Sequence, residues 1–107
     1  MANSFKNAKA DLTTTDATTL YTVPSATTTI VKSILVSEDS GNADTITVTL
    51  TNASSAVFSL FKVKAVGANA TIELLTAPLV VTESEIIKVT AATANRLHVV
   101  ASVLEVS

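Results

Sequence analysis

The sequence predicts an all-β fold, an antiparallel β-sandwich of jelly-roll-like form with seven to nine strands, and three observations predict it. Of the 107 residues, 38 are β-branched, with 18 Thr, 14 Val and 6 Ile; branching at Cβ stiffens χ1 and suits pleated sheet better than helix. Residues 44–52 (DTITVTLTN) alternate without a break, Ile46, Val48 and Leu50 against Thr45, Thr47, Thr49 and Thr51, which is the period of a half-exposed antiparallel strand. Turn signals recur roughly every 8 to 12 residues, the spacing of sandwiches and jelly rolls. Nothing between the candidate strands is long enough for the crossover helix that a parallel sheet needs.

Taken in order, residues 1–16 (MANSFKNAKADLTTTD) read as a polar, extended N-terminal arm and residues 17–107 as a single β-sandwich domain. The first strand covers residues 18–23 (TTLYTV) and stops at Pro24, whose fixed φ and missing N–H end a central strand. Residues 27–38 (TTTIVKSILVSE) are apolar on both phases, with Ile30, Ile34 and Val36 on one face and Val31 and Leu35 on the other. Such a strand is covered on both sides, by a core and by a neighbouring subunit. The stretch SEDSGNAD, residues 37–44, is a turn leading into the alternating strand.

A helix competes with a strand at residues 56–66 (AVFSLFKVKAV), because Phe58, Phe61 and Ala65 are helically spaced while Val57, Phe61, Val63 and Ala65 share a strand face. Gly67 closes the segment and the preceding strands favour a further one, so strand is the reading taken, with Phe58 and Phe61 as core anchors. Residues 71–76 (TIELLT), a break at Ala77 and Pro78, residues 79–82, residues 85–91 (EIIKVTA), a turn at 92–95 (ATAN) and a last strand at 96–106 complete the chain. That last strand sets Leu97, Val99, Ala101 and Val103 on one face.

Composition narrows the function classes. The net charge is −2 and the seven Lys and Arg are scattered, so the basic footprint of a nucleic-acid binder is missing. No apolar run approaches the roughly 18 residues of a membrane helix, and no apolar stretch follows the two early lysines, so neither a membrane partner nor a signal peptide is expected. There is no cysteine for disulfides, a support that small secreted domains often need. With a mean hydropathy of +0.49, the chain is expected to borrow stability from association and to have apolar surface covered by a partner.

The residues that carry chemistry give no active site. His98 is the single histidine, with no second His or Cys to share a metal or a proton, and reads as a surface or interface side chain. The two glycines cannot build a phosphate-cradling loop, and no G-x-S-x-G elbow is present. The acidic turn with Glu38, Asp39, Asn42 and Asp44 raises calcium as a ligand, but its spacing is not that of a calcium loop, and a plain turn is the favoured reading. Glu83 and Glu85 superficially resemble a carboxylate dyad and read instead as solvated charges guarding a sheet edge. Tyr21, Phe5, Phe58 and Phe61 are the whole aromatic stock. Phe5, exposed near a terminus, is either a plug for a neighbour's pocket or folds back on its own sheet. No catalytic, cofactor-binding or metal-ligating residue is assigned, no cofactor is expected, and the chain reads as no enzyme.

Several segments together resemble a family of small structural proteins of tailed-bacteriophage virions. They are the LYTVP-turn-IVKSI opening at residues 20–34, the ELL of 73–75, the strand at Ile86–Ala91, the turn ending Ala94-Asn95, and the closing SVLEV of 102–106. Where such proteins often carry a Pro-Ala-Gly turn, this chain has Pro24-Ser25-Ala26 and Val66-Gly67-Ala68. The resemblance implies a β-sandwich present in many copies on a virion assembled in the bacterial host cytoplasm. It leads to a capsid decoration, or cement, protein that binds the major capsid protein as a homo-oligomer, favoured as a trimer, with the arm threaded onto a neighbour. A neck, tail or fibre-associated adaptor is the alternative.

Overall fold

The computed structural model describes residues 3–107. Among them are nine strands and no helix: β1 (Asn3–Asp11), β2 (Thr18–Thr22), β3 (Thr28–Glu38), β4 (Asp44–Thr51), β5 (Val57–Val66), β6 (Thr71–Glu73), β7 (Leu79–Val81), β8 (Ile86–Ala91) and β9 (Leu97–Val106). The first sheet runs β1-β9-β3-β6, with β7 also paired to β3, and the second runs β2-β8-β4-β5. All pairings are antiparallel; those of β1 with β9, β2 with β8, β3 with β6 and β7, and β4 with β5 are nested, and β3 with β9 and β4 with β8 join the nested pairs into the two sheets. A chain doubled back as one long hairpin and then rolled over itself gives this order, which is the path of a jelly roll.

The inner faces of the two sheets meet in an apolar core. Val31, Ile34, Val36, Val99 and Ala101 of the first sheet face Ile46, Val48, Ile87 and Val89 of the second, all fully buried. As the alternation of β4 predicts, its threonines lie on the outer side and Ile46 and Val48 on the inner.

Bulges decide which side chains reach that core. In β3 the register against β9 shifts between Val31 and Ser33, so the inward phase passes from Thr29 and Val31 to Ile34, Val36 and Glu38. The sequence reading grouped Ile30 with Ile34 and Val36. The structure separates them, because an unpaired residue inverts the faces of everything beyond it. In β2 a shift between Thr19 and Tyr21 buries Leu20 and also turns Tyr21 inward. Edge strand β5 has two shifts against β4, and Val63 within it has φ +53, a strained value for a β-branched residue costing about 1–3 kcal/mol. A hydrogen bond from its N–H to Thr47 Oγ1, 3.1 Å, holds it there. Phe58, expected as a core anchor, is 53% exposed on this distorted edge, while Phe61 packs against the core.

The segment read as an extended arm is extended, but residues 3–11 are strand β1, paired with β9 from Asn3↔Val106 to Asp11↔His98. Small apolar residues on alternate positions explain this: Ala10 and Leu12 are buried and Ala8 packs against them. Leu12 extends the pairing, donating its N–H to Leu97 O and accepting from Asn95 N. Met1 and Ala2 of that segment lie outside the described residues.

Candidate functional site

The turn raised as a calcium candidate is organised around Glu38, the last inward position of β3. Its carboxylate is buried and accepts hydrogen bonds from Ser40 N (2.7 Å), Ser40 Oγ (2.5 Å), Gly41 N (3.0 Å) and Asn69 N (3.0 Å). Burial pushes the Glu38 pKa upward, yet these donors outweigh it and hold the carboxyl down at about 2. Glu38 thereby ties the turn after β3 to the turn after β5. Asp44 accepts from Thr93 N at 3.1 Å. Asp39 turns the other way, to His98. Among the described residues, no three His, Asp or Glu side chains converge on a metal-sized site.

His98 sits half-exposed on the outer face of β9, with Nε2 3.2 Å from Asp11 Oδ1 and Nδ1 3.4 Å from Asp39 Oδ2. It bridges the end of β1 to the Glu38 turn. Glu83 and Glu85 do not form a dyad. The first accepts from Ala26 N and the second from Thr82 N and Oγ1. Both lie in the turn between β7 and β8, where Glu85 fixes local backbone and Glu83 ties that turn to the one between β2 and β3.

Two polar clusters escaped the sequence reading. Across the core's end, the Tyr21 hydroxyl donates to Glu105 Oε2 (2.5 Å) and shares a 2.8 Å hydrogen bond with Thr29 Oγ1, while Lys6 Nζ lies 2.9 Å from Glu105 Oε1. Burial and the neighbouring carboxylate push Tyr21 up to about 12. The bonds from Tyr21 and Lys6 hold Glu105 below its ordinary value, against the effect of burial. The cluster stitches β2 of one sheet to β1, β3 and β9 of the other. Glu73 is the second case: it accepts from Ser33 Oγ, Ile34 N and Leu75 N at the β3 bulge. Burial raises its pKa, but those bonds prevail and lower it. The usable signal for Glu38 and Glu105 is a carboxylate on the inward phase of a strand, after Ile34 and Val36 or after Ala101 and Val103.

The surface features that could act on a partner are apolar. On the outer face of the first sheet the register aligns Phe5, Leu104, Ile30 and Val80 in a row across β1, β9, β3 and β7. A second row joins Val100 to Leu35. Phe5 is 75% exposed, Val80 56%, Leu35 39% and Val100 37%. Of the residues that the two-sided reading of 27–38 singled out, Ile30 and Leu35 point outward and Val31, Ile34 and Val36 point into the core. The outer face of the second sheet instead carries Thr45, Thr47, Thr49, Thr90 and Lys88 on β4 and β8, with Ile86 at one end, and the sheet's exposed large apolar side chains, Val57, Phe58 and Val63, are confined to edge strand β5.

A groove opens on the opposite edge of the molecule. Chain 74–78, between β6 and β7, faces the bulge of β3 and leaves the sheet edge, so that Leu74, Leu75, Pro78 and Leu79 line a concavity of about 300 Å³ with Leu60 and Phe61 of β5. No family model matches the chain, and no curated protein matches it.

Proposed function

We propose that this chain is a non-enzymatic structural protein of a tailed-bacteriophage virion, a capsid decoration protein that binds the assembled head through the outer face of its first sheet. The observation that carries the reading is the apolar row across four strands of that face, set against a threonine-rich outer face on the other sheet. Contiguous exposed apolar side chains on a small protein mark a surface that a partner covers. Two further features support it: the resemblance of residues 20–34, 73–75, 86–91 and 102–106 to small virion proteins, and carboxylates that hold backbone N–H groups instead of converging on a reacting atom.

Its action is linkage. A protein that binds the closed shell and not its free subunits shifts the equilibrium toward the shell by mass action. The test is a reconstruction of particles carrying the chain. Copies spread over the whole head are expected; copies confined to one ring at the neck or tail would overturn decoration in favour of an adaptor.

A further inference from the structure

We propose that copies of this chain join head to tail, with Phe5 of one copy seated in the groove between β5 and the 74–78 segment of the next. The inference deepens the structural reading above and rests on it for the biological setting alone; it gives Phe5, at the β1 end of the apolar row, to the contact between copies and leaves Ile30, Leu35, Val80, Val100 and Leu104 to the head.

Phe5 is the most exposed of the large apolar side chains, 75% accessible, yet it is no loose end. Strand β1 fixes it by continuous pairing to β9, with Phe5 opposite Leu104. A preordered aromatic knob avoids the ordering cost that a flexible segment meets on binding. The groove offers the matching hole. An apolar cavity of about 150 Å³ already admits a benzene ring, and this one measures about 300 Å³ and is walled by Leu60, Phe61, Leu74, Leu75, Pro78 and Leu79.

Knob and hole lie on opposite edges of the same sheet, on β1 and at the β6–β7 break. They therefore cannot meet within one copy. Between copies they make a heterologous contact, which closes into a ring or runs on as a filament.

Charge favours the same partner. Lys32 Nζ stands 5.7 Å from the Phe5 ring centroid, while the neighbouring Lys6 is paired with Glu105 of its own chain at 2.9 Å. The segment 73–79 that forms the first-sheet wall of the groove carries one charged residue, the exposed Glu73. Lys32 beside the knob and Glu73 next to the groove are of opposite sign, which favours this orientation, although Glu73 is also held by Ser33, Ile34 and Leu75 of its own chain.

Sedimentation velocity of the full chain tests this. The wild-type protein is expected to sediment as an oligomer of its 11.0 kDa unit. Phe5→Ala, which removes the knob, and Ala77→Arg, which blocks the hole, are each expected to be monomeric with unchanged circular dichroism, since both positions are exposed. Thr76→Arg serves as the second blocking variant if Ala77→Arg misfolds. Mixed in equal amounts, the knob-less and hole-blocked chains retain one compatible contact and are expected to form a heterodimer and nothing larger. A monomeric wild type, an oligomeric Phe5→Ala protein, or a mixture that stays monomeric would each overturn the proposal. An oligomer that behaves as expected yet never binds a phage particle would overturn the structural reading and leave this contact standing.

Discussion

The two outer faces of the sandwich are built from the same stock of β-branched residues and use it oppositely. On the second sheet the outward positions of β4 are all threonine, whose methyl suits the pleat while its hydroxyl meets water. On the first sheet the outward positions of β3, β7 and β9 include Ile30, Leu35, Val80 and Val100. The backbone is indifferent to this choice, since Thr and Val have similar shapes and strand preferences. What distinguishes the faces is the side chains each turns outward, hydroxyl-bearing on the second sheet and apolar on the first, and the decoration reading proposed above gives the first sheet a protein partner.

The comparison is broken most directly by charging the apolar face. Val80→Lys with Val100→Lys is expected to reduce binding to phage heads by tenfold or more, on the order of the 1.4 kcal/mol that a tenfold change represents. Thr90→Lys on the other face should leave binding unchanged. Isotherms with purified heads check this, and equal losses from both faces would remove the distinction. Because Val80 and Val100 are exposed, thermal stability of their lysine variant should shift by no more than about 0.5 kcal/mol.

Inward positions sharpen the contrast. Leu12 is completely buried beside β9, and Leu12→Ala is expected to cost about 2–5 kcal/mol in chemical denaturation, the range for large-to-small core changes. Tyr21→Phe should cost less, about 1–3 kcal/mol, by leaving Glu105 without its phenol donor and the Thr29 hydroxyl without its acceptor. The same residue sets an alkaline limit. Its pKa is raised in the fold, so its contribution is complete below its ordinary value of 10 and is lost as pH climbs through about 12. Tyr21→Phe is expected to flatten that part of a stability–pH curve.

The acid side has the opposite sign. Glu38 is depressed from 4.5 to about 2, so its contribution is present above 4.5 and disappears as pH falls toward 2. Glu73 and Glu105 shift in the same direction. Glu38→Gln puts an amide where four donors converge and is expected to weaken the acid dependence measured by denaturation between those limits.

How much of this was legible in the sequence follows from where local pattern and tertiary register agree. The exposure pattern of β4 and the inward set Leu97, Val99, Ala101 and Val103 of β9 were readable because no residue is inserted in either run. The faces of β3 were half readable, since the bulge at Lys32 and Ser33 is fixed by the break between β6 and β7 and by Glu73, some forty residues away. Phe58 was misplaced for another reason: it lies opposite half-buried Leu50 near the start of edge strand β5, ahead of both bulges, where no further strand of its sheet covers it. The pairing of residues 3–11 rests on two alanines and Leu12, too faint an apolar signal to stand out among Ser, Asn and Lys. The groove was illegible because it needs β5 of one sheet beside the interrupted edge of the other.

The chain contains no cysteine, so a single introduced thiol reports cleanly on each face. Maleimide labelling of Val100→Cys and of Thr49→Cys, compared between free protein and protein bound to phage heads, tests the central claim most directly. The account predicts that binding slows Val100→Cys labelling by tenfold or more and leaves Thr49→Cys unchanged; equal labelling of Val100→Cys in the free and bound states would contradict it.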